Sequence, residues 1–582
     1  MTWDLSVLYE SFQSPVFQKD LAEVKTQLGE IEKSISGSNE PKALLEKVIA
    51  QFKALMDTAD KLSAFIYLTW STDAENEEAA NYLDQLMAVQ VDFEKVNSQI
   101  SRYLGGIDDL DTIIKGSELL TEHAFFLREL KENAAHRMPK EIEGWMLRMS
   151  MNGGESLSQL REKLAATLTA DFRGEELPLS AVRAKAYDPD PEVRKDAYEA
   201  ELAAYPKVAL SIAACLNGIK GEGRIQAEAR NFDSILAWTL HDSRMDKETL
   251  DALWEAVREA LPDFRRYLRA KGRYLHHPDG IPFYDLMAPV GKNLRTYTLE
   301  EARALLVEKM SVFTPAMGEF INEAFENRWI DAYPRPGKQG GAFCSGIHSL
   351  DISRVLTNFA GSFGDVSTLA HELGHAWHNR CMAGLSSLLT QQPMPLAETA
   401  SIFNETLLSH MVLKNASPEE AFTLLEAELM EATQSIVDIY GRFLFETEVI
   451  QTRPDHAMSV NELKDTMLRA QEASYGDGLA KDARHPFMWA CKGHYYSPTL
   501  HFYNFPYAFG TLFAKGVFAQ YLEKGEAFVP TYNQLLRSCG NGTVHDVASS
   551  VGIDVRSVDF WRSSLRILTQ EIDRFVALCD QQ

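Results

Sequence analysis

The sequence lacks an excess of basic residues. Its 582 residues include 58 Lys and Arg against 83 Asp and Glu, which gives a formal net charge of −25. A protein that binds nucleic acid generally needs a basic face, so this balance argues against a nucleic-acid partner. The acidic excess fits a soluble protein whose interior attracts positively charged ligands.

Paired cysteines and long apolar runs are also missing. The N-terminal segment has no basic stretch followed by an apolar one, as a secretory signal would, and no apolar run approaches the ~20 residues that cross a bilayer. The cysteines are scattered, which is no disulfide framework and indicates a reducing compartment. We therefore predict a soluble cytoplasmic protein that binds no membrane. The six cysteines are Cys215, Cys344, Cys381, Cys491, Cys539 and Cys579.

Helical periodicity covers most of the chain. Apolar residues recur three and four positions apart from Asn39 to about Ala74, which is typical of an amphipathic helix. Around a glycine at 169–180 the pattern favours a small hairpin, and the β-branched run 352–359 predicts a strand. The predicted fold class is mainly α with a small β-sheet. Further helices are predicted over 76–104, 110–135, 140–149, 155–168, much of 192–330, and most of the chain from 365 onward.

The chain length predicts more than one lobe, because a single core rarely serves so many residues. The segment Tyr187–Pro191 contains two prolines and interrupts two helical patterns. We place the boundary here, between an N-terminal helical lobe at 1–190 and a second domain at 191–582.

The segment 371–378 reads HELGHAWH and carries a metal-binding pattern. Asp365 follows a glycine and caps a predicted helix that continues through this segment. His371 and His375 are four residues apart, so they project from one helix face and can both reach a zinc ion. Glu372 is turned about 100° away on the helix, beside the ion, where it can accept a proton from a water.

A catalytic zinc usually has three protein ligands and one open position. The segment 396–413 reads as a new helix, and Glu398 in its first turn is the predicted third ligand. Glu405 lies seven residues further on the same face, about 10 Å along the axis. It either supports the metal site or is simply solvated.

His378 is predicted to be a neighbour of the site and not a ligand. It lies seven residues beyond His371, about 10 Å along the helix axis. Helical side chains lean toward the N-terminus, so His371 would have to reach the opposite way to share an ion with His378. We expect His378 to support the site or to face the substrate.

These motifs resemble the oligoendopeptidase F family, relatives of thimet oligopeptidase. The resemblance rests on HELGHAWH followed by PLAETASIFNE, on the opening WDLSVLYESFQSPVFQKDL, and on GKQGGAFCSG ahead of VLTNF. It covers nearly the whole chain. It implies a two-lobed helical peptidase of the zincin type, with an enclosed channel, that cleaves short unfolded peptides. In that frame 1–190 is a lid and 191–582 is the catalytic domain.

The family's second signature is a histidine a few residues after a tryptophan, then a Tyr-rich stretch ending in Ala-x-Gly. Here it reads MWACKGHYYSPTLHFYNFPYAFG at 488–510. His494, Tyr503 and Tyr507 match the family's positions. Phe505 stands where the family often has tyrosine, and the connection is about two residues longer, which leaves His501 open as an alternative to His494.

The predicted mechanism uses one Zn²⁺ per chain on His371, His375 and Glu398. Glu372 acts as general base on the attacking water. Donors from Tyr503 or Tyr507 and from His494 stabilise the oxyanion. An edge strand near 352–359 pairs with the substrate backbone, and Gly340 and Gly341 let the peptide approach closely.

Two alternatives stay open at the level of sequence. One is a zinc carboxypeptidase or dipeptidase, which would need a cation for the substrate's C-terminal carboxylate, and no motif locates one. The other is a non-catalytic helical protein that binds peptides and matches the motif by chance. The oligomeric state is left as monomer or small homo-oligomer, and the predicted partners are oligopeptide substrates.

Overall fold

The computed structural model describes residues 1–37, 40–291 and 295–581. Most of them are helical, as the periodicity predicts. Asn39, where the second helix is predicted to begin, lies outside the described residues, and that helix begins at Pro41 behind a Glu40 cap. The first thirteen helices are α1 Pro15–Gly37, α2 Pro41–Thr72, α3 Glu77–Gly105, α4 Leu110–Lys115, α5 Glu118–Glu122, α6 Ala124–Ala135, α7 Lys140–Asn152, α8 Gly154–Thr167, α9 Leu179–Ala184, α10 Pro191–Ala204, α11 Ala209–Ala229, α12 Ile235–Asp242 and α13 Lys247–Tyr274.

The second half of the chain continues this helical pattern. A π-helical turn, Thr433–Asp438, joins two of its helices, and a 3₁₀ turn covers Gly493–Tyr496. The helices are α14 Leu299–Ser311, α15 Pro315–Glu326, α16 Phe363–Cys381, α17 Met394–Ala397, α18 Thr399–Leu413, α19 Pro418–Ala432, α20 Ile439–Thr452, α21 Val460–Tyr475, α22 Met488–Cys491, α23 Phe505–Lys524, α24 Val529–Ser538, α25 Val544–Ser549 and α26 Val558–Cys579.

The helix predicted over 110–135 is divided into three. Asp109 caps α4 and Ser117 caps α5, each by accepting a hydrogen bond from a backbone N–H two or three residues into the helix. Gly116 ends α4. Because these capping residues satisfy backbone donors locally, the chain turns twice although the apolar periodicity continues.

Two small sheets are present among the described residues. The predicted hairpin is confirmed: β1 Thr169–Phe172 pairs antiparallel with β2 Glu175–Pro178. The second sheet has three strands, β3 Ile330–Asp331, β4 Phe343–Ile347 and β5 Ile352–Leu356, in the order β3-β5-β4. β5 runs parallel to β3 and antiparallel to β4.

The strand predicted near 352–359 exists, but its expected position at the edge of a sheet is wrong. β5 lies between β3 and β4, so both of its sides are already hydrogen-bonded. β3 pairs only with Val355 and Leu356, but a strand with a neighbour on each side is not the open edge that an added peptide strand extends. The edge strand beside it is β4, which follows Gly340 and Gly341.

Contacts divide the chain into two compact units. Unit 1 comprises Met1–Arg137, Leu294–Val412 and Gln520–Gly552, and unit 2 comprises Met138–Asn293, Leu413–Ala519 and Ile553–Gln582. This division differs from the predicted boundary near 190, because Tyr187–Pro191 is a turn between α9 and α10 inside unit 2. Prolines mark a local turn, whereas unit membership depends on contacts between distant segments.

Each unit has its own apolar core. In unit 1 the core joins the first helices, α1 to α6, to Ile347 and Leu356 of the three-stranded sheet. In unit 2 it joins β1 and α9 to α11 with α20 to α22. The metal-binding pattern lies in unit 1, and the Tyr-rich segment lies in unit 2.

Within the described ranges, no single helix has the length and apolar character needed to cross a bilayer. One pair, Pro191–Lys207 and Ala209–Ala229, meets that test together by length and composition only, and it is bent by 70°.

Candidate metal centre and active site

The helix α16 carries HELGH and begins earlier than predicted. Ser362 is its N-cap: the Ser362 side chain accepts from the Asp365 N–H, and the Asp365 carboxylate accepts from the Ser362 N–H. This reciprocal pair is a capping box, so Asp365 supports the cap from inside the helix. Leu369, Leu373 and other apolar residues of α16 are buried, which fixes the direction in which the polar residues point.

The three predicted ligands lie together. Nε2 of His371 and Nε2 of His375 are each 3.3 Å from Oε2 of Glu398. One donor atom of each residue lies within 4.8 Å of the other two. The helix therefore presents both imidazoles to one point, and Glu398 meets them there.

Glu398 lies at a junction and not inside a helix as predicted. It follows α17 as its C-cap residue and immediately precedes α18. Oγ of Ser401 donates to Oε2 of Glu398 at 2.8 Å, which holds the carboxylate in place. Sequence reasoning missed Ser401, whose only signal is its position three residues after the predicted ligand.

Gly374, inside the motif, lets α18 approach α16. A Cβ built at this position would lie 2.6 Å from the Ala400 carbonyl oxygen and 2.7 Å from the Cα of Ser401. Both contacts are with backbone, which cannot move aside as a flexible side chain would. Only a residue without a side chain allows Glu398 to reach the two histidines.

Glu405 supports the site. Its Oε2 lies 3.3 Å from Nδ1 of His371, the ring nitrogen that faces away from Glu398. Carboxylates in this position orient metal-binding histidines and make them better ligands. Burial lowers the pKa of His371, but hydrogen bonds to Glu398 and Glu405 outweigh burial and raise it to about 11.

Glu372 is a buried carboxylate with an unused oxygen. It is 5% exposed, and among the described residues its Oε2 has no hydrogen-bond partner. Burial raises the pKa of this carboxyl, and the charges of His371 and His375 oppose that shift. A poorly solvated carboxylate beside a metal site is a stronger proton acceptor than one in water.

His378 is separate from the ligand group. It is 1% exposed, and its Nε2 lies 3.0 Å from the Leu536 carbonyl oxygen. Burial lowers its pKa to about 3, so the ring is neutral and donates to that carbonyl. His378 therefore connects α16 to α24.

The Tyr-rich segment brings its own predicted residues together in unit 2. The hydroxyl oxygens of Tyr503 and Tyr507 are 2.5 Å apart. The ring of His494 is centred 6.0 Å from the ring of Tyr503. These three side chains form one polar cluster at the start of α23.

His494 is kept neutral by its surroundings. Burial lowers its pKa to about 3, and the positive charges of Arg442 and Lys492 act in the same direction. Its Nε2 is buried and has no hydrogen-bond partner among the described residues. A neutral imidazole can donate one hydrogen bond to a developing oxyanion without giving up a proton.

His501 lies in a different environment from His494. It is 2% exposed, and its Nδ1 lies 3.1 Å from Nζ of Lys220. Lys220 in turn pairs with Glu446 at 2.6 Å, and Glu446 accepts from the backbone N–H of Phe502 at 3.1 Å. His501 thus belongs to a buried polar group beneath the segment that carries Tyr503.

The donor set in unit 1 fits a zinc ion. Two imidazole nitrogens and one carboxylate oxygen are a frequent catalytic zinc set, and bonds of about 2.0–2.1 Å in a tetrahedron place ligand atoms about 3.3–3.4 Å apart. The two distances from Glu398 to the histidines, 3.3 Å each, match that separation. His371, His375 and Glu398 would therefore hold the ion.

Comparison with known proteins supports this chemistry. The profile of peptidase family M3 matches residues 184–567, well over half of the chain. Oligoendopeptidase F from Lactococcus lactis subsp. cremoris is 23% identical over 100% of this chain and 98% of its own. Oligopeptidase PepF from Bacillus subtilis is 25% identical over 66% of this chain, and the match spans 58% of that protein's length.

Solved structures share the fold. A putative peptidase from Chlamydophila abortus superposes with a TM-score of 0.84 at 22% identity, over 99% of this chain and 98% of its own. Oligoendopeptidase F from Enterococcus faecium superposes with a TM-score of 0.70 at 19% identity, over 97% of this chain and 99% of its own. The predicted resemblance to oligoendopeptidase F and the mainly α fold are confirmed. The chain belongs to peptidase family M3 and is a metalloendopeptidase.

Proposed function

We propose that this enzyme is a zinc-dependent endopeptidase that hydrolyses short, unstructured oligopeptides. The observation that carries the proposal is the convergence of His371, His375 and Glu398 beside the buried Glu372, in a chain of peptidase family M3. Relatives named oligoendopeptidase F and oligopeptidase support the substrate class.

Glu372 acts as the general base in this proposal. When bound, Zn²⁺ supplies a Lewis acid that lowers the pKa of a water and polarises the scissile carbonyl. The free Oε2 of Glu372 takes a proton from the attacking water and later gives it to the leaving amine. Glu405 holds His371, and Ser401 holds Glu398, so neither ligand needs to reorganise during the reaction.

The side chains of His494, Tyr503 and Tyr507 serve as donors to the oxyanion. The neutral His494 and the hydroxyl that accepts within the tyrosine pair are preorganised donors in unit 2, and the other hydroxyl of the pair orients that donor. Donors that are already oriented stabilise developing charge at no reorganisation cost. The ring contact between His494 and Tyr503 favours His494 over His501 for this role.

The substrate backbone pairs with β4. This strand is at the edge of its sheet, and the charge of Glu372 contributes to the raised pKa of Cys344 on β4, so the strand runs beside the general base. A Cβ built at Gly340 or Gly341 meets nothing within 4 Å, and Gly341 has a φ of +82°. The edge offers main-chain hydrogen bonds to many sequences.

The substitution Glu372→Gln tests the proposal. With a quenched peptide blocked at both ends, we expect the variant to keep one zinc per chain and to lose activity by about 10²–10⁴-fold, the usual contribution of a general base. Glu319→Gln on the exposed face of α15 is the matched control and should leave activity unchanged. Full activity of Glu372→Gln, or a wild-type enzyme that cleaves without bound metal, would contradict the proposal.

A further inference from the structure

A charged cluster lies in unit 2 close to His494. Asp438 ends the π-helical turn, and Arg442 lies one helical turn further on, in α20. The Arg442 guanidinium pairs with the Asp438 carboxylate, which also accepts a hydrogen bond from the Tyr475 hydroxyl at 3.2 Å. Nζ of Lys492 lies 3.9 Å from the same carboxylate. Two positive charges therefore share one negative charge.

Lys492 is the cation that the cluster leaves without a close partner. Among the described residues its Nζ has no hydrogen-bond acceptor, because 3.9 Å to Asp438 exceeds a hydrogen-bond distance. Its side chain is 23% exposed and that of Arg442 is 17% exposed. Both cations are largely dehydrated and still reachable from solvent, which is a favourable setting for a charged ligand.

The structural role of the Arg442 pair does not explain Lys492. The ion pair with Arg442 already balances the single negative charge of Asp438, and Tyr475 donates to Oδ1, although Oδ2 makes no hydrogen bond among the described residues. Burial lowers the pKa of Lys492. The negative charge of Asp438 raises this pKa, and the positive charge of Arg442 lowers it again. Holding a second, partly buried cation beside an ion pair whose charges already balance costs free energy, unless an anion binds to that cation.

The cluster is near the proposed oxyanion donors. Lys492 precedes His494 by two residues, so their Cα atoms are at most about 7.6 Å apart. An extended peptide advances about 3.3 Å per residue, so this upper limit corresponds to about two substrate residues. The effect of both cations on the pKa of His494 shows that their charges reach its ring.

We propose that Lys492 and Arg442 form a subsite for a carboxylate of the substrate, about two residues from the scissile bond. The inference rests on the proposed function, because it takes His494 as the group that faces the scissile carbonyl. The carboxylate would accept a charge-assisted hydrogen bond from the Lys492 ammonium, beside the positive charge of the Arg442 guanidinium.

Two kinds of carboxylate carry this chemistry: the C-terminal carboxylate of a short peptide and the side chain of Asp or Glu. The chain has a net charge of −25, which repels anionic peptides at long range. A local cation pair would let acidic ends or side chains bind in spite of that field. It also supplies the cationic group that sequence motifs did not locate.

Three quenched peptides with one common core separate the two sources. The first ends in a free carboxylate two residues after the scissile bond, the second ends in an amide, and the third is the amide with Glu in place of Gln at that position. We expect the wild-type enzyme to prefer at least one carboxylate peptide over the amide by about ten- to hundredfold in kcat/KM, mostly through KM, as for a charged hydrogen bond.

Substitutions at Lys492 test whether this residue causes the preference for carboxylate peptides. Lys492→Gln should bring the ratio of carboxylate to amide peptide close to one, and Lys492→Arg should keep most of it because the charge remains. Lys481→Gln, an exposed lysine of the same unit, should leave the ratio as in the wild type. The ratio compares two substrates of one protein, so partial loss of folded enzyme does not change it.

The outcomes are distinct. Equal cleavage of all three peptides by the wild type, or a preference that survives in Lys492→Gln, would overturn the subsite. A preference for the free C-terminus or for internal Glu, lost in Lys492→Gln, supports it and identifies the source. Failure of the wild type to cleave the blocked amide peptide at all would instead contradict the proposed endopeptidase function.

Discussion

Burial acts in opposite directions on the pKa values of two proposed catalytic side chains. It raises the pKa of the Glu372 carboxyl and lowers that of the His494 imidazole, in each case because the charged form loses its hydration. Each residue also keeps a buried atom without a partner among the described residues, Oε2 and Nε2 respectively. A buried polar atom without a hydrogen bond destabilises the folded protein. Such atoms are therefore typically retained where a substrate or a water supplies the missing hydrogen bond.

The tyrosine pair gives a residue-scale prediction. Because the hydroxyls of Tyr503 and Tyr507 are 2.5 Å apart, one donates to the other, and the accepting hydroxyl keeps its own proton for the oxyanion. We expect Tyr503→Phe and Tyr507→Phe to lower kcat about 10²-fold each, within the range for loss of one oxyanion donor. The double variant should lose much less than the product of the two, since the hydroxyls act as a unit.

Single-turnover and steady-state kinetics of the three variants test this coupling, with bound zinc measured in each. Zinc content should match the wild type, because His371, His375 and Glu398 lie in the other unit. Multiplicative losses, or a variant with wild-type kcat, would show that the two hydroxyls do not act together on the oxyanion.

Sequence spacing was sufficient to predict the convergence of the metal-binding residues. Two histidines four apart on a helix share a face by geometry alone, so the group His371, His375 and Glu398 could be predicted. Ser401 and Lys492 could not, because serine and lysine are common and only their neighbours give them a role. His378 was predicted to support the site or face the substrate, and its buried contact with Leu536 depends on α24, more than 150 residues away.

At the scale of elements, the site depends on how closely α18 approaches α16. Gly374 makes that approach possible, as the backbone of Ala400 and Ser401 leaves no room for a Cβ. We expect Gly374→Ala to displace α18, to weaken zinc binding at least tenfold and to destabilise unit 1 by about 1–3 kcal/mol, the usual cost of overpacking. Helix propensity favours alanine by about 1 kcal/mol and offsets part of that loss.

Zinc titration and thermal unfolding of Gly374→Ala measure both effects. Gly144→Ala is the matched control: it is also a glycine within a helix, α7, and a Cβ there meets nothing within 4 Å. The control should be as stable as the wild type or more so. Wild-type zinc affinity in Gly374→Ala would mean that α18 can shift without moving Glu398.

Helices and strands could be predicted where local sequence signals agree, and could not be predicted where long-range strand pairing determines the structure. The hairpin β1–β2 and the capped helices follow from glycine, capping residues and periodicity. β4 has strand-forming residues only at its ends, Phe343 and Ile347, and contains Gly346, so its pairing with β5 decides that it forms. The position of β5 at the centre of its sheet follows from the same long-range pairing.

At the scale of the whole molecule, the two proposed sets of active-site residues belong to different units. The metal group lies in the middle segment of unit 1, and the His494 group lies in the middle segment of unit 2. The boundaries at 412–413 and 519–520 fall inside α18 and α23. Turn-forming residues in the sequence could not predict these two boundaries, because such residues mark loops and these boundaries are helical.

The metal centre gives unit 1 a stability that depends on pH. In the metal-free protein the pKa of His371 is raised to about 11 by Glu398 and Glu405 against burial. Because the pKa of this histidine is higher in the folded than in the unfolded chain, its protonation stabilises the folded state. This contribution is complete below about pH 6.5 and is lost as the pH rises toward 11. At low pH a proton on His371 therefore partly replaces the ion between the same carboxylates.

Metal removal should consequently destabilise unit 1 more at high than at low pH. Zinc at 1,000 times its Kd stabilises by about 4 kcal/mol, and we expect chelation to lower Tm more at about pH 8.5 than at about pH 6, since the proton compensates only at the lower pH. Hydrogen exchange should increase in α16 and α18 and stay constant in α13 and α26 of unit 2. Glu398→Gln is the control in which chelator should have no effect, and an equal loss of Tm at both pH values would contradict compensation by His371.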